Sequence, residues 1–433
     1  MYNSTLYELY RQDKLSLHVS VSTPLSGCVG DSLMMKAFSS SHEEGDEWNP
    51  LSSPVPLANL GASWWIELVG PALLTNVSSL DNTQHNQSVY NLYVLPMDPG
   101  VYQYTVRLDM VFCGEFQHCV LTTSSKSESL RPMLQKTGSI TIYSCESNSN
   151  ISMTTLSSSS TSAMVTNGLN KKGRWLLYEN NYSFKYYDPK INSMLTRIPK
   201  SFQWLHFIGD SLTYNSFMWV VTMYNLPMIQ IWKEKTYHVR LYGSEKRNLW
   251  LSFAQFTGRL SSRTYSTSDL NHAAKSLLES FLIVQSISSS ISRNISVHMN
   301  PQAVIFNSGL HMVQDYSMRE YTHSIQKFFQ VIRMNYAGLL VWRNTAATQF
   351  HTKKLSPLFK CRFNGRIQIF NQIAEKLLTH YNVSECVVDA WSMTLPRRDE
   401  CGDNRHYHLL GLGNGTVDSA LWNATLGCVH GIL

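Results

Sequence analysis

The chain has 433 residues, 43% of them hydrophobic and only 15% charged, and Lys and Arg outnumber Asp and Glu by 36 − 30 = 6. This length exceeds one compact core of usual size, which predicts two domains. The basic residues are scattered along the chain rather than gathered in one segment, so nothing in the composition favours nucleic-acid binding. We therefore expect a folded protein with few surface charges and with no DNA or RNA partner.

The cysteines and glycosylation sequons point to an oxidising compartment. Eight cysteines are present, none in a CxxC pair, which weakens a zinc or redox interpretation and leaves their pairing open. Disulfides and glycosylated asparagines are both typical of secreted proteins. We expect the secretory pathway, in the Golgi lumen, or an extracellular location. The sequons begin at Asn3, Asn76, Asn86, Asn150, Asn181, Asn294, Asn382, Asn414 and Asn423.

No targeting or membrane-spanning segment is recognisable. The N-terminus lacks a basic region followed by an apolar one, so no cleavable signal is expected. Residues 217–232 are the most apolar stretch, but polar residues interrupt it and it is shorter than a span requires. We predict a core helix and a turn there, and any signal or membrane tether would lie outside the recognisable sequence.

The first third of the chain predicts β structure, at residues 12–30 and 63–145. The clearest strand is 102–112, in which Tyr102, Tyr104 and Val106 begin an alternating apolar face. The preceding Asp98-Pro-Gly-Val-Tyr102 has the pattern of a tyrosine corner, which is typical of a β-sandwich. We predict an all-β domain over 1–145.

A boundary follows, and the second domain alternates strands with helices. Residues 146–170 are mostly Ser, Thr and Asn and predict a linker or mobile loop. Over 171–433, predicted helices with apolar stripes begin near Ala274, Met318 and Phe370 and separate five apolar runs. Such alternation predicts a parallel sheet covered on both faces, with ligands bound at the carboxyl ends of its strands. The runs are 203–208, 237–242, 303–307, 338–343 and 386–390.

One stretch of the second domain places a serine between a strand and a helix. The run Phe207-Ile-Gly-Asp-Ser-Leu-Thr-Tyr-Asn215 predicts Ser211 on a tight turn, with a helix N-terminus behind it. Capping of that helix is the structural alternative. The same tetrapeptide recurs at Gly30-Asp-Ser-Leu33, but no helical pattern follows it, so we expect Ser32 to lie in a turn that leads into an antiparallel strand.

Two further strand ends carry polar residues. Asn307 follows a buried run and precedes Gly309, which suits an oxyanion donor, although Asn and Gly are equally common in turns. His311 is interpreted as a helix-start residue rather than a base. Asp403 and His406 are three residues apart, so one turn can hold the imidazole with the carboxylate beside it. His406-Tyr-His408 could instead suggest a metal, but no other well-spaced ligand set accompanies it and we expect none.

Taken together, these motifs resemble the PC-esterase branch of the GDSL/SGNH hydrolases. The branch includes NXPE-type proteins, Cas1-type sialate O-acetyltransferases and trichome-birefringence-like polysaccharide O-acetyltransferases. The resemblance covers most of 171–433, and 1–145 resembles a filamin-type immunoglobulin-like domain, as in NXPE proteins. It implies an SGNH-type doubly wound parallel sheet, a flavodoxin-like three-layer sandwich, preceded by an all-β sandwich. The motifs are Gly173-Arg-Trp175, Gly209-Asp-Ser-Leu-Thr-Tyr-Asn215, Asn307-Ser-Gly-Leu-His311, Val341-Trp-Arg-Asn-Thr345, Val388-Asp-Ala-Trp-Ser-Met-Thr394 and Asp403-Asn-Arg-His406-Tyr407.

The resemblance also implies roles for single residues. Ser211 is the nucleophile, His406 the general base and Asp403 the acid that orients it. The oxyanion hole is formed by Asn307 and the backbone N–H of Ser211. The glycine that completes the hole is not placed, with Gly243 and Gly258 as candidates. Tyr214 stands where plant members carry Arg. The resemblance therefore does not indicate how this position contacts the substrate or the acyl donor.

The implied activity is transfer or hydrolysis of an acyl group, in particular acetyl, on a glycan. No cofactor is expected, and an acetyl donor would act as co-substrate in a transferase. A second hypothesis is a non-catalytic secreted glycan-binding or adhesion protein whose aromatic side chains stack on sugars. A lipase-like esterase is a third. The sequence does not decide between esterase and transferase, and it does not indicate the oligomeric state.

Overall fold

The structure is a computed structural model, and its described residues form two compact units, one within 1–186 and 351–369 and the other within 187–350 and 370–433. The described residues are 15–22, 26–28, 33–43, 62–70, 73–77, 89–94, 96, 99–110, 134–145, 164–165, 175–177, 182–184, 204–233, 238–255, 301–316, 318–336, 338–348, 364–384, 386–395, 397, 401, 406–407 and 416–430.

Every described element between residues 15 and 184 is a strand. One sheet has the order β1-β3-β6, a second β2-β8-β7-β4-β5, and a third, of short strands, β11-β10-β9. Apart from the parallel pair β2–β8, the pairings are antiparallel. The strands are β1 (Leu15–Ser22), β2 (Ser26–Cys28), β3 (Leu33–Glu43), β4 (Ala62–Val69), β5 (Leu73–Val77), β6 (Val89–Val94), β7 (Gly100–Met110), β8 (Leu134–Tyr143), β9 (Met164–Val165), β10 (Trp175–Leu177) and β11 (Tyr182–Phe184).

The predicted alternation on β7 is confirmed, with the strand starting two residues earlier than expected. Tyr102, Tyr104 and Val106 are buried, while Gln103 is exposed. A disulfide joins Cys28 on β2 to Cys145 just after β8, across 117 residues of sequence. The β content of this unit is therefore as expected, whereas the filamin-type assignment stays a prediction.

The second copy of the Gly-Asp-Ser-Leu tetrapeptide ends at Leu33, which is the first residue of β3. Leu33 is buried and begins a strand that pairs antiparallel with both β1 and β6. Ser32 itself lies outside the described residues, as do residues 274–282, where a helix is predicted. Leu33 thus begins an antiparallel strand, whereas Ser211 begins a helix.

The second unit contains a seven-stranded sheet and six described helices. The strands are β12 (Trp204–Gly209), β13 (Met228–Lys233), β14 (His238–Ser244), β15 (Leu249–Gln255), β16 (Ala303–Phe306), β17 (Leu339–Arg343) and β18 (Cys386–Val388). The helices are α1 (Ser211–Met223), α2 (Gly309–Asp315), α3 (Met318–Asn335), α4 (Asn364–Tyr381, of which residues 370–381 belong to this unit), α5 (Ala390–Thr394) and α6 (Thr416–His430). A short 3-10 helix covers Glu245–Arg247.

The sheet has the order β13-β14-β15-β12-β16-β17-β18. The last five strands are mutually parallel, and their order relative to the chain is the 2-1-3-4-5 order of flavodoxin-like sheets. All five predicted strands are present, but the one predicted at 237–242, β14, runs antiparallel to both of its neighbours rather than parallel. Two more, β13 and β15, were not predicted, because a short apolar run is not distinguished from a helical segment by periodicity. The core helix and turn predicted after Phe217 are present, but β13 follows them.

Helices cover both faces of this sheet. Phe207 on β12 is in register with Phe253 on β15, and Phe217 of α1 packs on both, with ring centroids 5.4 and 5.5 Å away. On the opposite face, Phe329 of α3 packs edge-on against Trp342 of β17, with the ring centroids 5.5 Å apart. The unit is therefore an α/β fold with a largely parallel sheet between two helical layers, as predicted.

The central strand β12 contains a fully buried histidine, which predicts a loss of stability in acid. His206 Nδ1 lies 2.8 Å from Ser252 Oγ, and burial lowers the pKa of His206 from 6.5 to about 3. Between pH 3 and pH 6.5 the His206 imidazole binds a proton in the unfolded chain but not in the folded chain. The contribution of this group to the free energy of unfolding is therefore complete above pH 6.5 and decreases as the pH is lowered toward 3. We expect this effect of His206 to lower the free energy of unfolding by about 2–3 kcal/mol between pH 7.5 and pH 4.5.

The measurement is urea unfolding at both pH values, for the wild type and for His206→Gln, which cannot titrate in this range. The variant should be less stable than wild type at pH 7.5 and should lose less stability on acidification. An equal loss in both proteins would show that His206 does not cause the acid sensitivity.

Candidate active site

The carboxyl ends of β12 and β16 meet at the point where the strand order reverses. β12 runs into Asp210 and Ser211, and β16 runs into Asn307, Ser308 and Gly309. Doubly wound sheets bind their ligands at such a crevice, outside the strand ends. At this crevice the structure brings together the first two of the three polar strand ends that the sequence singled out.

Ser211 is the first residue of α1, and its side chain is exposed beside an imidazole. Ser211 Oγ lies 2.9 Å from Nε2 of His406, 195 residues further along the chain. Such a contact between a hydroxyl and an imidazole is the arrangement of an activated serine nucleophile. The N-terminus of α1 also favours negative charge that develops at this position. Asp403, the predicted orienting acid, lies outside the described residues.

His406 is followed by a residue that fixes its segment. The hydroxyl of Tyr407 contacts the carbonyl oxygens of Ala347 and Thr394, at 2.9 and 3.0 Å, and Tyr407 is buried. In addition, the backbone N–H of Ala347 donates to Thr394 Oγ1 at 2.8 Å. Two segments that follow β17 and β18 therefore hold the chain next to the imidazole. The sequence motif contained Tyr407, but nothing in it indicated this anchoring role.

Asp210 ties the two strand-end turns to each other. Its Oδ1 accepts the N–H of Leu212 at 2.9 Å, which caps α1, and its Oδ2 accepts the N–H of Leu310 in α2 at 2.7 Å. The carboxylate is buried, with 1% of the residue exposed. Asp210 therefore fixes the turn that presents Ser211, a role that an aspartate fills well because it accepts hydrogen bonds on both oxygens.

Gly309 is required where the α2 turn approaches Asp210, and this predicts a destabilised Gly309→Ala variant. Its φ is +75°, and a Cβ there would overlap the Asp210 carboxylate. We expect a loss of about 2–3 kcal/mol, because both the backbone and the carboxylate must shift. Urea unfolding measures it. Gly427→Ala is the control, since this glycine lies inside α6 and alanine is favoured there. Equal stability of the two variants would contradict the prediction.

Asn307 supports the end of β17. Its Nδ2 donates to the carbonyl of Arg343 at 2.6 Å and to Thr345 Oγ1 at 3.3 Å, and 2% of the residue is exposed. Both amide protons are thus engaged, and donation to an oxyanion would replace the longer of these two bonds. Its oxyanion role stays a prediction, as does that of the Ser211 N–H, which has no intrahelical acceptor at this position.

Of the two candidate glycines for the oxyanion hole, one already donates its backbone N–H to another acceptor. Gly243 lies in β14, and its N–H donates to the carbonyl of Pro227 at 3.1 Å. Gly258 lies outside the described residues. The second backbone donor of the hole is therefore not assigned to Gly243.

A buried polar network lies beneath Ser211 on the α1 face of the sheet. Arg343 Nη2 donates to Ser216 Oγ at 3.0 Å, and Ser216 Oγ donates to Asp418 Oδ1 at 2.5 Å. Burial lowers the pKa of Arg343, and the nearby charges of Asp418 and Asp210 oppose that shift. The network joins β17, α1 and α6. Arg343 lay in a motif of the sequence, whereas Asp418 had no sequence signal.

A small pocket opens between this network and the imidazole. Its lining includes Leu212, Arg343, His406, Tyr407 and Asp418. His406 and the buried network of Arg343, Ser216 and Asp418 therefore line the same pocket. Among the described residues, no group of three His, Cys, Asp or Glu side chains is arranged to hold a metal ion.

The residues after β17 connect two motifs of the sequence. Asn344 Nδ2 donates to Asp389 Oδ1 at 2.8 Å and to Glu375 Oε1 at 3.0 Å, and its Oδ1 accepts the N–H of Trp391 at 2.8 Å. The motifs at 341–345 and 388–394 thus meet as neighbouring strand ends. Their polar residues hold loops in place around the site.

Comparison with known proteins yields structural neighbours only. No family model matches the chain, and no curated protein matches its sequence. Among solved structures, a lipase/acylhydrolase from Enterococcus faecalis is similar, with a TM-score of 0.30 and 13% identity, over 52% of this chain and 96% of the neighbour. The CARDB domain of a Pyrococcus furiosus protein is similar with a TM-score of 0.16 and 12% identity, over 30% of this chain and 93% of the neighbour.

The compartment prediction has partial support. Besides Cys28–Cys145, a second disulfide joins Cys386 on β18 to Cys428 on α6, and disulfides are typical of an oxidising environment. Among the helices that the structure describes, none combines the length and hydropathy needed to cross a bilayer.

Proposed function

We propose that the α/β unit is a serine-dependent acyl-ester hydrolase or acyltransferase of the GDSL/SGNH, PC-esterase type. The observation that carries the proposal is the 2.9 Å contact between Ser211 Oγ and His406 Nε2 at a strand-to-helix turn. An exposed hydroxyl at a helix N-terminus, within hydrogen-bond reach of an imidazole, has the geometry that nucleophilic acyl chemistry needs.

In the proposed reaction His406 Nε2 accepts the proton of Ser211 as Oγ attacks the ester carbonyl. The tetrahedral oxyanion is stabilised by the Ser211 N–H and by Asn307. The C–O bond to the alcohol then breaks, and the departing oxygen takes the proton from His406, which leaves Ser211 acylated. Asp403 orients the imidazole. Attack by water regenerates the enzyme as an esterase, and attack by a sugar hydroxyl makes it a transferase.

The substrate class proposed is an O-acylated glycan, in particular an O-acetylated one, in the secretory pathway or outside the cell. This part of the proposal rests on the sequence motifs and on the disulfides. The proposed organisation is a filamin-type domain over 1–145, a linker over 146–170 and the catalytic domain over 171–433.

The test is reaction of the purified protein with a fluorophosphonate probe, followed by turnover of aryl acetates and acetylated sugars. Labelling of Ser211, located by peptide mass mapping, together with ester turnover is the expected result. Absence of both would reject the enzyme and favour the alternative of a glycan-binding protein that lacks catalysis.

A further inference from the structure

A second cationic side chain, that of Arg240, contacts Tyr214, which lies one helical turn from Ser211. Arg240 on β14 donates from Nη1 to the hydroxyl of Tyr214, and its guanidinium carbon lies 4.6 Å from the centre of the Tyr214 ring. Both side chains are half-buried. The guanidinium is therefore held on one face of an aromatic ring rather than extended into solvent.

Tyr214 is in a fixed position one turn along α1 from Ser211. Residues three apart on a helix lie on the same face, so the phenol ring follows the nucleophile along the surface of α1. Its ring packs against Phe253, with centroids 5.1 Å apart, and against Phe217, at 6.4 Å. Arg240 is therefore positioned relative to Ser211 by packed aromatic side chains, which is the preorganisation that a binding site requires.

The charge of Arg240 is not balanced by a carboxylate among the described residues. Its contacts there are with the neutral phenol of Tyr214. Arg343, by comparison, is buried beside Asp418 and Asp210. A guanidinium has five donors, of which Tyr214 takes one, and its fork matches a carboxylate or sulfate group.

We propose that Arg240, held by Tyr214, binds an anionic group of the substrate sugar, a carboxylate or a sulfate, one helical turn from Ser211. This inference rests on the proposed function in that it names the substrate class of the same site. It predicts selectivity for acidic over neutral sugars, with the anion oriented by the guanidinium and the ester directed toward Ser211.

The kinetic arm compares O-acetylated methyl galacturonide with O-acetylated methyl galactoside. For wild type we expect a lower KM for the acidic sugar, and for Arg240→Gln we expect that preference to fall roughly 10- to 100-fold, because a charge-assisted hydrogen bond is lost. Tyr214→Phe should weaken the preference less, since the ring remains. Arg247→Gln is the matched control, because Arg247 is an exposed arginine in the same unit and should keep the wild-type preference.

The binding arm does not depend on catalysis. Calorimetry on Ser211→Ala measures methyl galacturonide, methyl galactoside and methyl galactoside 6-sulfate, with and without Arg240→Gln. Tighter binding of either charged sugar that is lost in the double variant supports the subsite and shows which anion it takes. Equal binding of all three sugars, or a preference that survives Arg240→Gln, overturns it. If ester turnover is absent while the charge preference is present, the proposed function fails and the anion subsite stands.

Discussion

Replacing Ser211 with alanine is expected to lower the turnover of acyl esters by about 10⁴- to 10⁶-fold. The reason is that the variant has no hydroxyl to form the acyl intermediate, while the fold is unchanged because Ser211 is exposed at the helix start. The measurement is kcat for an aryl acetate, with the urea unfolding midpoint recorded in parallel to show that stability is retained. Labelling by the fluorophosphonate should disappear as well.

His406→Gln should lose activity by a comparable factor, because residues that act as one unit give non-additive effects. The double variant should then be no less active than either single variant. Ser32→Ala is the matched control, since it removes the serine of the second Gly-Asp-Ser-Leu tetrapeptide and should have wild-type activity. Full activity of Ser211→Ala, or loss of activity in Ser32→Ala, would contradict the assignment.

Removing Asp418 is expected to destabilise the protein by about 3–5 kcal/mol, because the Arg343 charge would stay buried without its nearby carboxylate. Only 6% of Arg343 and 2% of Asp418 are exposed, so water cannot replace the lost partner. Asp418→Ala should therefore show a large fall in the urea midpoint. Asp418→Asn should fall less, since an amide oxygen still accepts the bond from Ser216.

The control for Asp418 replaces both charges with apolar side chains of similar size, Arg343→Met together with Asp418→Leu. If the cost arises from an uncompensated buried charge, the double variant should be more stable than Asp418→Ala. A double variant that is less stable than Asp418→Ala would show that the network contributes through packing instead. The imidazole of His406 borders the same pocket, so ester turnover measured on the folded fraction shows whether the network also positions the site.

Strand β12 and the serine after it were predictable because the information is local. An apolar run, a Gly-Asp pair and a helix-like segment follow one another within 20 residues, and all are present in the structure. The tetrapeptide at 30–33 was distinguished from the one at 209–212 by local information as well, because no helical pattern follows it. The strands β13 and β15 were missed because β13 follows a helical pattern closely and β15 is a short apolar run without a distinct period.

The sequence by itself determined the residue types of the site and their order along the chain. Only the tertiary structure decided which of them meet. Ser211 and His406 are 195 residues apart, and their 2.9 Å contact depends on the strand order that places β12 at the reversal point. Asp418 and Arg240 were likewise recognised as neighbours of the site only from the tertiary structure, because one carboxylate on α6 and one guanidinium on β14 produce no local sequence pattern. Side-chain contacts between distant elements follow from strand pairing and helix packing, which no short stretch of sequence encodes.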